Sequence, residues 1–174
     1  MKLWNQNSKD KNSAIDHFLS GEDITLDQEL FLYDIEASIA HTHELEKINI
    51  FTKTEARKVI SSLKKLGKLY QTNKFKLTAK YEDCHSAIED FLTKELGSIG
   101  KKIHTGRSRN DQIMVAMRLY AREKLDEIQL INLKIAKAFL EKSEKHSSNP
   151  MPGYTHLQRA MPSSWGLWFG AFAE

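Results

Sequence analysis

HTGRSRNDQ, at residues 104–112, stands directly before the longest helical pattern in the chain. The stretch gathers polar donors beside a glycine: Thr105, Arg107, Ser108, Arg109 and Asn110. The start of a helix carries unpaired N–H groups and about half a positive charge, which attract carboxylate or phosphate. Arginine suits this task because its fork matches two carboxylate oxygens. The stretch therefore predicts an anion-binding loop; the alternative is a solvated basic turn in which Ser108 or Asn110 caps the helix.

The helical pattern that follows this loop is unusually long. No proline or glycine interrupts residues 110–146, and apolar residues recur at intervals of three and four: Leu125, Ile128, Ile135 and Phe139. Such a helix would be about 55 Å long, whereas a compact chain of this size should be about 40 Å across. It therefore needs partners from a helical bundle or from other subunits. A helix broken near Asn132 is the alternative.

Composition excludes several classes of protein. The 174 residues are 40% apolar, and 26 basic residues are interspersed with 23 acidic ones. A net charge of +3 does not favour nucleic acid, and the sequence shows neither a signal peptide near Met1 nor a membrane span. The single cysteine, Cys84, cannot form an internal disulfide. We expect a cytoplasmic protein with no nucleic-acid or membrane partner.

The fold class predicted is all-α, since prolines and glycines lie mostly at segment ends. We predict an N-terminal, mostly helical domain over residues 1–109, and the start of a central helical bundle over residues 110–174. Apolar residues in residues 1–24 show no regular spacing, which predicts an irregular arm. Capping-box patterns predict helices that begin at Thr25 and Thr52. The first would run to Asn49 and the second to near Gly67.

Two later segments complete the predicted order of elements. In residues 70–81 apolar and polar residues alternate weakly, which predicts an extended connector or a small hairpin. From Asp83 a third helix is predicted, which stops at Gly97 and Gly100 because glycine can end a helix.

A second polar cluster follows the long helix. Two prolines and a glycine predict a loop over residues 147–156. The polar side chains emerge at its end: Tyr154, Thr155, His156, Gln158 and Arg159. Beyond Pro162 an aromatic-rich helix would expose an apolar patch if the chain ended at Glu174, so we expect the front portion of a longer protein. The two clusters would lie about 50 Å apart along one helix. They can share a site only in an oligomer.

Residues 104–112 and MPGYTHLQRA at residues 151–160 resemble the two N-terminal signature stretches of argininosuccinate lyases. Shorter stretches also match: Lys2-Leu3-Trp4, Asp34-Ile35, Ser38-Ile39-Ala40-His41, and Glu82-Asp83 with His85. The resemblance covers essentially the whole chain, in the family's order. It implies the fold of the fumarase/aspartase superfamily: helical homotetramers with a central bundle and active sites assembled from three subunits.

The resemblance also implies a reaction, the reversible anti elimination of argininosuccinate to L-arginine and fumarate that ends arginine biosynthesis. A base removes the proton beside a carboxylate while an acid helps the guanidino nitrogen to leave. No metal or organic cofactor is implied, and the sequence shows no paired-histidine helix, CxxC or glycine-rich phosphate loop. Because the carbanion adds charge to a carboxylate, donors aimed there should lower the barrier.

Site residues are assigned by matching positions. His156 matches the family's proton acceptor, although a serine on a flexible loop is also proposed as the base. That loop would lie beyond Glu174, so residues 1–174 alone should be inactive. The residues implied in substrate binding are Ser38, Ser108, Arg109, Asn110 and Thr155, with His85, Thr105, Arg107 and Gln158 as further candidates. No metal ligand is implied.

Departures and alternatives remain. Ala37 and Met161 stand where many members have glycine and glutamine, and neither change removes a proposed reacting group. A sister lyase acting on adenylosuccinate would use the same elimination, but the phosphate-binding set it needs is not visible. A crystallin-like structural oligomer is the alternative from another class. In that case Asn110→Ala and His156→Ala would alter only stability.

Overall fold

The computed structural model describes residues 22–78 and 80–174, so most of the predicted N-terminal arm lies outside the described residues. The elements are, in chain order, α1 (Asp23–Lys47), α2 (Lys53–Gln71), α3 (Cys84–Leu96), α4 (Ser98–Lys101), a 3₁₀ turn (Lys102–His104), α5 (Arg109–Lys145), β1 (Pro150–Thr155), β2 (Gln158–Ser164) and α6 (Trp165–Ala173). Helices dominate, which confirms the predicted class. Among the described residues, no helix is both long and apolar enough to cross a membrane.

The chain forms two compact units that divide between Ala121 and Arg122. Helix α5 runs through this division without a break, so the interruption considered near Asn132 does not occur. The domain boundary predicted at residues 109 and 110 coincides with the first turn of α5 and stays a prediction.

The core of the first unit lies where α1, α2 and α3 pack together. Its fully buried side chains include Phe31, Val59, Leu63, Leu66, Ile88 and Leu92. These apolar residues recur at helical spacing, so each helix buries one face and leaves the other to solvent. The Phe31 and Tyr70 rings, with centroids 4.5 Å apart, join α1 to the end of α2.

Of the two predicted capping boxes, at Thr25 and Thr52, the structure contains one. The capping box at Thr52 is confirmed, because the Glu55 N–H donates to Thr52 Oγ1 (3.2 Å) and the Thr52 N–H donates to Glu55 Oε2 (2.8 Å). The capping box predicted at Thr25 is wrong. Helix α1 already begins at Asp23, and Glu22 at its N-cap makes no side-chain cap. The threonine therefore lies inside the first turn.

Helix α2 continues four residues past Gly67, where the sequence predicted its end, to Gln71. Gly67 is buried, and a Cβ there would lie 3.8 Å from Ile35 Cδ1 on α1. The last turn is held by Tyr70, whose hydroxyl donates to the Gln28 carbonyl at 2.8 Å. The glycine thus marks a helix crossing and not a helix end.

Of the two alternatives predicted for residues 70–81, the hairpin is wrong. Helix α2 includes residues 70 and 71, and the described residues 72–78 and 80–81 form an irregular connector of turns, bends and coil without a strand. Phe75 stacks on Phe31 with centroids 5.7 Å apart and lies 6.2 Å from the Tyr81 ring. Side-chain packing against α1, rather than backbone pairing, therefore fixes this segment.

In the second unit, α6 packs closely on the last turns of α5. A Cβ on Gly166 would lie 2.7 Å from the Ser143 carbonyl oxygen, so only glycine allows this approach. Ser143 Oγ donates to the Gly166 carbonyl at 2.7 Å. Phe139 stacks on Phe172 with centroids 5.6 Å apart. The aromatic-rich helix predicted after Pro162 is confirmed.

The loop predicted after α5 is shorter than expected, because Pro150–Thr155 forms strand β1 and pairs antiparallel with β2. Proline is tolerated here since a two-stranded ribbon consists of edges, where a missing N–H costs little. Gly153 lies at an irregularity in the register, and a Cβ there would approach the Met161 carbonyl oxygen to 2.6 Å. The prolines and glycine therefore shape a ribbon instead of preventing one.

Two glycine variants test this account of the helices. Gly67→Ala should raise the free energy of unfolding by up to about 1 kcal/mol, because alanine favours a helix interior and its methyl group meets only ordinary contacts. Gly100→Ala should lower it, since its Cβ would lie 2.3 Å from the Leu92 carbonyl oxygen. Urea unfolding followed by circular dichroism measures both. A destabilising Gly67→Ala would contradict the continuous helix.

Candidate active site

The loop predicted to bind an anion is held at both ends. Lys102 Nζ, in the 3₁₀ turn before it, donates to Glu55 Oε1 at 2.8 Å. This bond, with those from Thr52, lowers the pKa of Glu55 to about 2. The ring of His41 on α1 meets the Thr105 carbonyl through Nε2 at 3.0 Å. Burial, and next the charge of Arg107, lowers the pKa of His41, so the imidazole is neutral and donates through Nε2.

Ser108 caps helix α5 together with Asp111. The Ser108 N–H and Oγ–H both donate to Asp111 Oδ2, at 2.8 and 2.9 Å. These bonds lower the pKa of the exposed Asp111 carboxyl. The capped turn considered as an alternative is therefore present, and it occupies the hydroxyl that was predicted to bind substrate.

Arg107 reaches from the loop to α1. Its guanidinium donates from one terminal nitrogen to Ser38 Oγ at 3.1 Å, and Ser38 is fully buried. Burial lowers the pKa of Arg107, while the charges of Asp34 and Glu89 oppose that shift. Its Nε is buried and has no partner among the described residues. Two predicted site residues that are far apart in sequence are thus brought together.

Arg109 is held by protein carboxylates instead of being open to a ligand. One of its terminal nitrogens donates to Glu82 Oε1 at 2.6 Å and also to Asp83 Oδ2. Asp83 in turn caps α3 by accepting from the Ser86 N–H at 2.7 Å. The arginine therefore joins the start of α5 to the start of α3, a structural task that sequence reasoning did not assign to it.

A buried polar group lies beside these contacts. His85 Nδ1 lies 2.6 Å from Asp34 Oδ2, and both side chains are almost completely shielded from solvent. The Cys84 thiol approaches the same two atoms, at 3.7 and 3.9 Å. Burial raises the pKa of Cys84 well above its usual range, so it stays a thiol. Cys84 is buried as a free cysteine.

Asp34, Cys84 and His85 also offer three metal-type ligand atoms within 4.8 Å of one another. A hydrogen bond already joins two of these atoms, and the thiol is held protonated. We therefore assign the group to hydrogen bonding and not to a metal.

The remaining predicted residues are exposed. Thr105 and Asn110 lie at the surface of the first unit, and Asn110 makes no side-chain hydrogen bond with the described residues. Thr155, His156 and Gln158 lie at the tip of the hairpin in the second unit, where His156 and Leu157 have positive φ angles of 50° and 64°. This is the type I′ turn of a two-residue hairpin, which glycine or asparagine normally provides. Such strain is stored most often at functional sites.

Sequence reasoning missed the carboxylates of this site. Asp34 and Glu82 are buried polar residues, and Asp111 completes the cap of α5. Two signals could have found them: Asp34 and Glu82 belong to the short stretches that match the family, and Asp34 and Ser38 lie four residues apart on one face of α1.

A groove of about 580 Å³ lies elsewhere on the first unit. Four of the residues that line it are lysines, Lys64, Lys65 and Lys68 of α2 and Lys74 beyond its end. None of the predicted site residues lines this groove.

The chain belongs to the lyase family, whose match covers residues 8–174. Its curated relatives include argininosuccinate lyases. That of Xanthomonas euvesicatoria pv. vesicatoria (strain 85-10) is 46% identical over 172 residues, which are 99% of this chain and 40% of that protein. That of Xylella fastidiosa (strain Temecula1) is 45% identical, with 99% of this chain and 39% of that protein covered. The chain thus spans about two fifths of the length of these relatives, and the resemblance to their N-terminal portion is confirmed.

Solved structures with the same fold include lyases. An EDDS lyase in complex with formate is 26% identical, has a TM-score of 0.72, and is matched over 91% of this chain and 31% of that one. A fumarate lyase from Mesorhizobium sp. BNC1, 23% identical with a TM-score of 0.65, covers 83% of this chain and 35% of its own. The second likeness concerns the fold alone.

Two neighbouring variants separate structural from exposed residues of the loop. Arg109→Ala should lower the free energy of unfolding by about 1–3 kcal/mol, because it leaves two shielded carboxylates without their partner. Asn110→Ala should change it by less than about 0.5 kcal/mol, since its side chain is exposed. Urea unfolding of both variants measures the difference. Equal free energies of unfolding would show that the Arg109 ion pairs contribute little to stability.

Proposed function

We propose that the protein containing this chain is an argininosuccinate lyase that eliminates fumarate from argininosuccinate and releases L-arginine. The observation that carries the proposal is the assembly around the start of α5, where Arg107 contacts Ser38 across 69 residues of sequence. A helix start and a half-buried guanidinium form an environment suited to carboxylates. Identity of 45–46% to argininosuccinate lyases over 172 residues supports the same substrate.

The proposed elimination is anti, and protein groups carry it without a metal. Removal of the proton beside a carboxylate forms a carbanion whose charge spreads onto that carboxylate. Donors already oriented there stabilise this charge without reorganising. We assign this task to Asn110 and the N–H groups at the start of α5, with Ser38 and Arg107 holding another part of the substrate. Ser108 and Arg109 hold the helix start in place through their own contacts.

The hairpin tip supplies the second group of residues. We assign proton transfer to His156 and substrate contact to Thr155, with Gln158 beside them. His156 is exposed at the tip, and its imidazole makes no hydrogen bond with the described residues. A serine in a downstream loop, as in the family, completes the acid and base pair. Residues 1–174 alone are therefore expected to be inactive.

We propose further that the protein works as a homotetramer in the cytoplasm, with each site shared between subunits. Helix α5 supports this because its apolar side chains are largely exposed in the single chain: Leu125, Ile128, Leu130, Ile131, Leu133, Ile135 and Leu140. Exposed apolar area on this scale marks an interaction surface. Copies of the same helix from other subunits are the simplest partners that would bury these apolar side chains, as in a helical bundle.

A sister fumarate-releasing lyase is the second candidate. One solved structure with a TM-score of 0.72 and 26% identity to this chain is an EDDS lyase variant with bound fumarate. Fumarate therefore binds a lyase of this fold whose name differs from that of the argininosuccinate lyases. A purely structural helical oligomer is the remaining alternative.

Fumarate release tests the proposal. The full-length natural protein is mixed with argininosuccinate, and the release of fumarate is followed by its ultraviolet absorbance. Activity should fall at least a hundredfold in His156→Ala, since general acid–base groups contribute about 10²–10⁴-fold. Lys58→Ala, an exposed change on α2, should retain activity. No release from folded protein would favour a sister substrate or a structural role.

Shared sites make a separate prediction. Asn110→Ala and His156→Ala proteins should each be nearly inactive, and hybrid tetramers should regain part of the activity because some sites receive both intact residues. Hybrids are formed by mild denaturation of a mixture and refolding. The control refolds each variant by itself. Assembled hybrids without activity would contradict shared sites.

A further inference from the structure

Helix α2 and the turn after it form a strongly basic part of the chain. Residues 56–81 contain eight lysine and arginine residues and no aspartate or glutamate, although the whole chain carries a net charge of only +3. The groove of about 580 Å³ lies on this stretch and is lined by Lys64, Lys65, Lys68 and Lys74. A concave surface lined by one sign of charge attracts ligands of the opposite sign.

Backbone geometry brings these lysines together. Lys64 and Lys68 are four residues apart and therefore lie on the same side of α2. Just past the helix, Asn73 has a positive φ angle of 56°, which is typical of a residue that ends a helix. The chain then turns back, and the Lys74 N–H donates to the Leu69 carbonyl at 2.8 Å. Backbone hydrogen bonds therefore fix the two lysine-bearing segments beside each other.

Most of the positive charge in the groove is not neutralised by the described part of the chain. Lys65 forms an ion pair with Glu95 of α3. The side chains of Lys64, Lys68 and Lys74 form no hydrogen bond or ion pair with the described residues. Like charges four residues apart destabilise a helix, and the helix dipole favours a lysine only in the last turn, which accounts for Lys68 but not for Lys64. A bound anion would offset this repulsion.

The lining of the groove favours phosphate over carboxylate. Lysine binds phosphate as a point charge, whereas a planar carboxylate is gripped best by arginine, and no arginine is among the described residues that line the groove. The volume lies within the range of roughly 300–1,000 Å³ that is usual for small-molecule sites. Leu69 and the methylene stems of the lysines add apolar surface beside the charges.

We propose that this groove binds a small molecule that carries several phosphate groups. Lys64, Lys68 and Lys74 contact the phosphate oxygens, and Leu69 contacts any organic part of the ligand. None of the residues assigned to the elimination lines the groove, so failure of the lyase reaction would leave this proposal standing. Because the lysines are exposed, affinity should fall as salt is added, since exposed charges are screened over about 8 Å at physiological ionic strength.

Isothermal titration calorimetry of the full-length protein tests the site. The probes are inorganic triphosphate and adenosine triphosphate, without magnesium, and both should bind saturably. The double variant Lys64→Gln/Lys68→Gln should weaken binding about tenfold or more, because it removes two charge-assisted contacts. The matched control Arg57→Gln/Lys58→Gln removes two exposed charges of the same helix that do not line the groove. It should change affinity by less than about twofold, since distant exposed charges are screened.

The two probes distinguish the sources of the phosphate groups. Tighter binding of adenosine triphosphate would indicate a ligand whose organic part lies on Leu69, and equal affinities would indicate that the phosphate chain alone is recognised. Circular dichroism confirms that each variant is folded. No saturable binding of either probe, an unchanged affinity in Lys64→Gln/Lys68→Gln, or an equal loss in the control variant would overturn the proposal.

Chemical modification of lysines locates the bound probe. The full-length protein is treated with an amine-reactive reagent, with and without triphosphate, and the modified lysines are identified by mass spectrometry. Triphosphate should protect Lys64, Lys68 and Lys74 and leave Lys58 unprotected. Equal protection of Lys58 would show diffuse attraction, and stronger protection by an oligoglutamate of equal charge would show that the groove takes an acidic protein segment. Either result would contradict a phosphate site.

Discussion

The ion pairs of Arg109 with Glu82 and Asp83 are the contacts on which the arrangement of the first unit depends. Two helices, α3 and α5, begin at this point, and the starts of both carry positive partial charge. A guanidinium added between them would be unfavourable without the two carboxylates. With them, the start of α5 is fixed against α3, and the preceding loop is carried onto α1, where Arg107 meets Ser38.

This division of labour decides what the site can do chemically. Arg109 and Ser108 are occupied by protein partners, so their contribution is to hold the helix start in place. Asn110 stays exposed beside them, and Arg107 and His85 each keep a buried nitrogen with no partner in the described part of the chain. Rigid groups that are fixed before a ligand arrives do not need to reorganise during the reaction, which is the basis of electrostatic preorganisation. Binding capacity is therefore concentrated in fewer residues than the number of polar side chains suggests.

Helix α5 imposes a different constraint. It runs for 37 residues, and its apolar side chains surround too much of the circumference for a single chain to cover. The hydrophobic effect therefore favours association. In the second unit, α6 adds Trp165, Trp168 and Phe172, each about half exposed, to the same kind of surface. Association and catalysis are linked in the proposed function because the two polar clusters lie in separate units of the chain.

The sequence by itself determined the helical class, the uninterrupted α5, the cap at Thr52, the helix start at Asp83, and the polar character of both signature stretches. These features depend on local periodicity and on hydrogen bonds between residues three or four apart. Only the tertiary structure decided that Arg109 pairs with Glu82 and Asp83 and that Asp34 meets His85, since these contacts join distant segments. It also decided that α2 continues through Gly67 and that residues 150–164 form a hairpin. In both cases packing or strand pairing outweighed the local preference of glycine and proline for a break.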